Sequence, residues 1–262
     1  MRAGFLITGR LKSTRLPKKV ILEVAGKPLF SHMCDRLKHA RRIDDIVLCT
    51  STNSLDDPLV KLAQGEGISY YRGSEEDVLE RLCEATEHFN LDYVVNITAD
   101  CPIVDPLFVD MIIDEYEKTH ADLIRFTNLP PGQGPNGIKV KALKKVCELK
   151  DETETEVWGG YFTNADILHC HDAVVDGRYL CPGLKTTLDY PEDYEFLKQV
   201  FDELYVPGKV FSLREIIRLV KKKPELLAIN SHCIERGKEH IRQTAAPVRF
   251  KSGELDISYR KN

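Results

Sequence analysis

The chain has 262 residues, 42% of them hydrophobic and 30% charged, with a formal net charge of −4. That balance excludes a wholly disordered chain, and the mild acidity argues against a general nucleic-acid binder, which carries a basic excess. A chain of this length buries about three quarters of its unfolded surface as one large domain and needs no staples. Eight scattered cysteines without a C-x-x-C pair are expected to be reduced thiols of a cytoplasmic protein. The start MRAGFLITGR is too short and too soon charged for a signal peptide. No run approaches 18 apolar residues, so no membrane association is expected.

Ala3–Ile7 is a short apolar run that predicts a buried parallel strand. Leu29–His39 puts Leu29, Phe30, Met33 and Leu37 on one helical face. Asp45–Thr50 is again β-rich. Asp57–Glu66 is helix-like, with Pro58 suited to a first turn. Ser69–Tyr71 is a short strand, after which Ser74 is expected to cap a helix carrying Val78, Leu79, Leu82 and Cys83. Asp92–Thr98 is the strongest strand. Pro106–Lys118 is a helix with Phe108, Met111, Ile112 and Tyr116 on one side.

This alternation predicts an α/β fold, a mostly parallel sheet with helices on both faces. Ligands in such sheets bind beyond the carboxyl ends of the strands. Two loops sit at such ends, Thr8–Lys19 and Ala99–Pro106. Leu129–Gly137 is a Pro/Gly-rich segment that marks a boundary or a mobile loop over the site. Asp172–Tyr190 is expected to leave the sheet and return. Pro191–Leu204 and Leu213–Lys222 are expected helices, and the structure beyond about Glu235 is left open.

Three constellations carry chemistry. The loop Thr8–Lys19 holds five basic residues, Arg10, Lys12, Arg15, Lys18 and Lys19. Gly9 allows a turn and close backbone approach, and Ser13 and Thr14 add hydroxyls. Arginine offers planar forks to phosphate oxygens and lysine a point charge. The loop matches neither a Walker A nor a G-x-G-x-x-G pattern. A solvated basic loop is the plain alternative. In the second, Asn96–Ile103, Asp100 follows a buried strand and is placed to hold a hard cation; a turn-forming Asp is the alternative. In the third, Lys185–Asp193, Asp189 precedes Pro191 and is either a second cation ligand or a helix cap. Asp193 is expected to be a first-turn helix acid. His169-Cys-His171 with Cys181 matches no standard zinc spacing.

Together these segments resemble a known family. Arg10, Ser13, Arg15, Leu16, Pro17, Lys19, Gly26, Lys27 and Pro28 are similar to the signature of the CMP-sugar synthetases. Gly73–Arg81, Ile97–Ile103, Thr187–Asp193 and Leu213–Asn230 resemble the cytidylyltransferase branch that includes spore coat polysaccharide biosynthesis and acylneuraminate enzymes. The resemblance implies a Rossmann-like nucleotidyltransferase fold, usually homodimeric, that transfers CMP from CTP to an acceptor oxygen and releases pyrophosphate. It implies that Arg10, Arg15 and Lys19 contact the CTP phosphates and that the backbone near Thr8 and Gly9 meets the cytosine. Ser13, Thr98 and Asp100 complete the expected nucleotide site. Asp100 and Asp189 are the implied ligands of Mg²⁺, with Arg15 and Lys19 as catalytic cations. The expected domain spans 1–230, with 129–188 as an acceptor-binding or dimerisation excursion and 231–262 as a tail.

The chain also departs from the family. Gly9 stands where Ala is usual and Lys18 where Gly is usual. A G-x-D-x-E stretch is replaced by Gly137-Ile-Lys-Val-Lys141, and a segment resembling E-H-V-T by Glu156-Val-Trp-Gly159. Lys139 and Lys141 would share one face of a strand, which either recognises a phosphate or carboxylate on the acceptor or is a solvated strand face. The expected acceptor is a small anion, a 2-keto sugar acid for surface polysaccharide, with a phosphorylated small molecule second. A sugar-1-phosphate nucleotidyltransferase, a glycosyltransferase of similar topology and a non-catalytic binding protein are the alternatives from other classes.

Overall fold

The computed structural model describes residues 1–164 and 168–251. Its centre is a seven-stranded sheet. In chain order the elements are β1 (Ala3–Thr8), the hairpin strands β2 (Glu23–Val24) and β3 (Lys27–Pro28), α1 (Leu29–Leu37), β4 (Asp45–Ser51), α2 (Asp57–Gly65), β5 (Ser69–Gly73), α3 (Val78–His88), β6 (Tyr93–Thr98) and α4 (Pro106–Thr119). The second half adds β7 (Leu123–Phe126), β8 (Asn136–Lys139), α5 (Val140–Leu149), α6 (Gly159–Thr163), β9 (Cys170–Ala173), α7 (Pro191–Leu204), α8 (Leu213–Lys222), α9 (Glu225–Asn230) and α10 (Cys233–Thr244).

The strand order is β5-β4-β1-β6-β8-β7-β9. All neighbours pair parallel except at β8, which runs antiparallel to both β6 and β7. β1 is therefore central, with β4 on one side and β6 on the other. The crevice beyond its carboxyl end is where the strand order turns and where such sheets bind ligands. The alternation of β1 explains its burial on both faces. Phe5 and Ile7 join Met33, Leu48, Val95 and Ile112 under α1, α2 and α4. Leu6 joins Val47, Leu79, Leu143 and Phe162 under α3, α5 and α6. A third cluster links Leu29, Ile103 and Phe108 to Phe196, Leu197, Ile216 and Ile217 of α7 and α8.

Local signals account for most boundaries. Asp105 accepts from Leu107 N at 3.0 Å and Pro106 opens α4. The cap of α3 is Asp77, whose carboxylate accepts from Glu80 N at 3.0 Å. Ser74, the expected cap, instead accepts from Asp77 N at 3.2 Å, one turn earlier. The Leu129–Gly137 segment is packed into the molecule. Gln133 is fully buried and spans Ile103 O, Asp105 N and Thr186 Oγ1. Gly132 has φ +95°, and a Cβ there would lie 2.5 Å from Thr186 Oγ1, so only glycine fits.

Two expectations are corrected. Lys139 ends β8 and Lys141 lies in the first turn of α5, so they share no strand face. The stretch after β9 adds no further strand; β9 itself is the edge, and residues 174–190 cross back over the strand ends. The segment past residue 231 is helical through Thr244. Among the described residues no helix is long and apolar enough to cross a membrane.

Candidate active site

The loop after β1 is held at its base by a buried carboxylate. Asp56 accepts from Leu11 N at 2.7 Å and from Ser51 Oγ at 2.5 Å. The strands still pair at this level: Gly9 N donates to Cys49 O at 3.2 Å and Ala99 N to Thr8 O at 2.8 Å. Gly9 has no left-handed backbone. It is a close-approach glycine, because a Cβ there would lie 2.9 Å from the Ala99 Cβ. The loop then curls back to a 3₁₀ turn at Lys19–Ile21, anchored by buried Val20.

Lys19 is the hub. Its Nζ donates to Asp100 Oδ2 at 2.6 Å and to Asp189 Oδ1 at 3.0 Å. Arg15 reaches the same Asp189 oxygen at 3.1 Å and donates to the Tyr190 hydroxyl at 3.2 Å. Asp100 also accepts from the Thr98 hydroxyl. Leu188 N donates to Asp100 O at 2.8 Å and stitches the third constellation to the second. Behind Asp189, Lys185 donates to its other oxygen at 3.2 Å and to Asp193 Oδ2 at 2.6 Å. Asp193 is fully buried. It accepts from the backbone N–H of Asp189 and of Tyr190, and Asn230 completes its shell at 2.9 Å. Tyr190, not Asp189, is the cap residue of α7, and Asp193 closes its capping box.

The charges are mutually set. Burial pushes the Asp189 carboxyl up, but Lys19, Lys185 and Arg15 outweigh it and hold it at about 2. Burial pushes the Lys19 ammonium down, and Asp100 and Asp189 more than reverse this, so it stays charged. Burial, helped by Asp100, pushes the Cys101 thiol well up, so it is no thiolate nucleophile.

A cavity of about 440 Å³ opens over the sheet end, within the range of small-ligand sites. Thr8, Gly9, Arg10, Ser13, Arg15, Lys19, Thr98 and Asp100 all line it. The structure thus brings the predicted nucleotide-site residues together. Arg10 bonds Glu75 O at 2.6 Å and reaches Glu156 at 3.2 Å, while Lys12 pairs with Glu76 at 2.8 Å. Asp189 does not itself line the cavity; it lies behind Lys19, 3.0 Å from its Nζ. Lys139 does not belong to the site. It pairs across from Tyr93, the first residue of β6, at the opposite end of the sheet from Thr98. Exposed Lys141 follows it on α5. The phosphorylated-acceptor expectation rested on these two lysines and loses its support.

Several lining residues carried no sequence signal of function. The α10 residues His240, Ile241 and Thr244 reach the cavity only through the fold. Lys185 was visible as a lysine four positions before Asp189, a spacing that by itself indicates nothing in irregular chain. Among the described residues, the metal-capable cluster is Glu192, His232 and Cys233, not His169, Cys170 and His171. Arg236 already occupies it, 2.7 Å from Glu192.

The chain belongs to the cytidylyltransferase family, whose model matches residues 5–229. It is 26% identical over 228 residues to the spore coat polysaccharide biosynthesis protein SpsF of Bacillus subtilis, covering 84% of this chain and 95% of that one. It is 25% identical over 253 residues to the 3-deoxy-manno-octulosonate cytidylyltransferase of Geobacter sulfurreducens, covering 88% and 95%. A solved cytidylyltransferase structure from Leptospira borgpetersenii superposes with a TM-score of 0.77 at 26% identity, covering 87% of this chain and 97% of that one. The family makes the chain a nucleotidyltransferase, and the sheet has the nucleotide-sugar transferase form that the resemblance implied.

Proposed function

We propose that the chain transfers CMP from CTP to a 2-keto sugar acid destined for surface polysaccharide, releasing pyrophosphate. The observation that carries this reading is Lys19, clamped between Asp100 and Asp189 directly under the basic loop at the switch point of the sheet. In this reading Arg10, Arg15 and Lys19 bind the triphosphate, and Ser13 and Thr98 add hydroxyl contacts. The backbone at Thr8 and Gly9 forms the floor for the cytosine. Arg10 and Lys12 exchange Glu76 and Glu156 for phosphate oxygens when the nucleotide enters.

The acceptor hydroxyl attacks the α-phosphorus and gives up its proton to solvent. The new O–P bond forms as the bond to the bridging oxygen breaks, and charge moves onto the departing pyrophosphate. Lys19 and Arg15 are placed to meet that charge. Donors preorganised where charge develops act more strongly than in water, because they need not reorganise. Asp189, whose backbone Asp193 fixes, keeps both cations oriented until the nucleotide arrives.

The carboxylates fit Mg²⁺. Asp100 and Asp189 converge on one cationic point, now held by the Lys19 ammonium, and offer the hard oxygen donors a small divalent ion needs. When bound, the ion neutralises charge on the phosphates. The sugar-acid acceptor is supported by the relative that acts on 3-deoxy-manno-octulosonate. A homodimer is part of the same reading, by analogy with the family.

The test is pyrophosphate release across a nucleotide panel and a set of 2-keto sugar acids, with Mg²⁺ and with chelator. CTP-dependent, chelator-sensitive release with a sugar acid supports the reading. Consumption of a UDP-sugar in place of CTP would move the chain to a glycosyltransferase.

A further inference from the structure

Arg36, in α1, is a buried cation without an ion-pair partner among the described residues; it is 3% exposed. Its Nε donates to Val104 O at 2.9 Å and its Nη2 to Phe211 O at 2.7 Å. Both acceptors are neutral carbonyls. The guanidinium carbon lies 4.7 Å from the centre of the Phe211 ring. Burial lowers the Arg36 pKa to about 10, with Asp105 and Glu215 opposing from a distance, so the group stays charged at neutral pH. A buried charge without an ionic partner is costly. The third nitrogen, Nη1, has no hydrogen bond among the described residues, yet it is not sealed from solvent.

Arg36 lines a cavity of about 250 Å³ that shares no residue with the one at the strand ends. The walls come from α1 on one side and from α7 and the turn after it on the other. Phe201, Tyr205 and Phe211 supply three rings. His32 packs on the first two, with centroids 4.5 and 5.2 Å away. Its Nε2 is engaged with Val24 O at 2.7 Å, and burial pushes its pKa down, so it adds a neutral ring and no second buried charge. Lys38, His39 and Lys209 are exposed and form a basic rim. Asp35, the single carboxylate among the lining residues, is taken by Lys27 at 2.6 Å.

We propose that this cavity is a second ligand site, which binds a small monocarboxylate with a flat apolar body. The carboxylate takes Arg36 Nη1, and the body lies against Phe201, Tyr205 and Phe211. The inference stands apart from the cytidyl-transfer reading. The donor count selects the head group. One buried positive charge with one free nitrogen is matched by a monoanion, whereas a phosphate dianion brings a second charge and more lone pairs than that nitrogen satisfies. The rings select the body, because an apolar face laid on them leaves water together with them. The rim draws anions to the mouth. The site is also preformed. Arg36 is fixed by its two carbonyl bonds, and Asp105 Oδ2 accepts from Leu213 N at 2.7 Å, which ties together the two segments that supply those carbonyls.

Benzoate is the probe, with benzamide as its neutral isostere, in a saturation-transfer NMR titration of the full chain. Benzoate should bind with roughly millimolar affinity, as fits a ligand of its size. Benzamide should bind at least about tenfold more weakly, the worth of a hydrogen bond between charged groups. Inorganic phosphate at equal concentration should fail to displace benzoate. Arg36→Met should abolish the preference for benzoate, with circular dichroism as the folding control. Lys209→Glu, at an exposed position, keeps the test open if that variant does not fold: it should weaken benzoate several-fold at low salt and leave benzamide unchanged. Lys19→Met, in the other cavity, should leave benzoate affinity as it is. Equal affinity for benzoate and benzamide overturns the proposal, as does binding of neither. Displacement by phosphate overturns the carboxylate assignment. Benzoate affinity unchanged in folded Arg36→Met, or in Lys209→Glu, overturns the placement. A loss of benzoate affinity in Lys19→Met also overturns it, because the anion would then sit at the strand ends.

Discussion

Lys19 Nζ lies 2.6 Å from Asp100 Oδ2, a charge-assisted hydrogen bond between side chains 81 positions apart. The contact joins the loops after β1 and β6, the two strands that meet at the centre of the sheet. Asp189 shares the same ammonium from a third segment. Three stretches of irregular chain are thereby pinned to one cation before any ligand arrives.

Lys19→Met should lower turnover by about 10²–10³-fold, the cost of losing a donor aimed at developing charge, and Asp100→Asn should lower it comparably by removing the carboxylate that fixes that ammonium. Both side chains lie at the cavity rim, so the fold should persist. Pyrophosphate release, with circular dichroism as the folding control, measures this. Turnover near the wild-type rate in either variant would remove Lys19 and Asp100 from the mechanism.

The pH response follows from the same cluster. The Asp189 carboxyl is held at about 2, below its ordinary 3.8. Its contribution is therefore complete above about pH 4 and is lost as pH falls through 2, roughly 2 kcal/mol in all. Lys19 has the opposite sign: its contribution is present at neutral pH and lost only as pH rises above the usual lysine range. Lys19→Met removes the leading cation beside Asp189 and lets its carboxyl move back toward its ordinary range, so the variant should lose less stability between pH 4 and pH 2 than wild type does. Urea midpoints between pH 2 and 7 give the comparison, and superimposable curves for the two proteins would contradict it.

Lys18 has φ 55° and ψ 27°, a left-handed conformation in which Cβ is crowded. The family it resembles usually has glycine at this place. Its side chain is exposed and does not line the cavity. Lys18→Gly should therefore raise stability by about 1 kcal/mol and leave turnover unchanged. Thermal melts and steady-state rates check both halves.

Lys139 and Lys141 look like a binding pair in sequence because alternation in a strand would align them. The chain turns into α5 between them. Charge reversal of both should leave the acceptor KM and the CTP KM within about twofold of wild type, since neither residue lies at the cavity and distant surface charges are screened. A selective rise in acceptor KM would restore them to the site.

The half of the sheet made by β1, β4, β5 and β6 was legible because buried parallel strands and amphipathic helices repeat at their own periods, whereas the short strands β7 and β9 carry no such pattern. Ala3–Thr8, Tyr93–Thr98 and Pro191–Leu204 fall within a residue or so of the segments read from pattern. The basic loop and both aspartates were legible because ligand sites of this architecture lie at strand ends. What escaped is long-range. Lys185, Asp193 and Asn230 form a buried unit only after α7 and α9 pack, and no local period marks it. The α10 residues at the cavity escaped because only the fold brings them there. Asp77 displaced Ser74 as the cap because two adjacent turns compete for the same chain entry, and sequence shows both oxygens but not which turn forms.

That buried unit supplies the sharpest structural test. Asp193 and Lys185 are both nearly inaccessible and 2.6 Å apart. Asp193→Ala leaves the ammonium buried without its main partner, which should cost about 3–5 kcal/mol. It also frees the N–H groups of Asp189 and Tyr190 that the carboxylate fixes. Replacing the whole pair, Lys185→Met with Asp193→Leu, removes both charges at once. Stability should then recover to within roughly 1–2 kcal/mol of wild type, because a packed apolar pair substitutes well for a buried ion pair. Turnover should not recover, because Asp189 has lost the contacts that aim it at Lys19 and Arg15. Urea denaturation and pyrophosphate release on the single and double variants separate the two effects. If the double variant regained wild-type turnover, Asp193 would serve folding alone, and Asp189 would be held by Lys19 and Arg15 without its help.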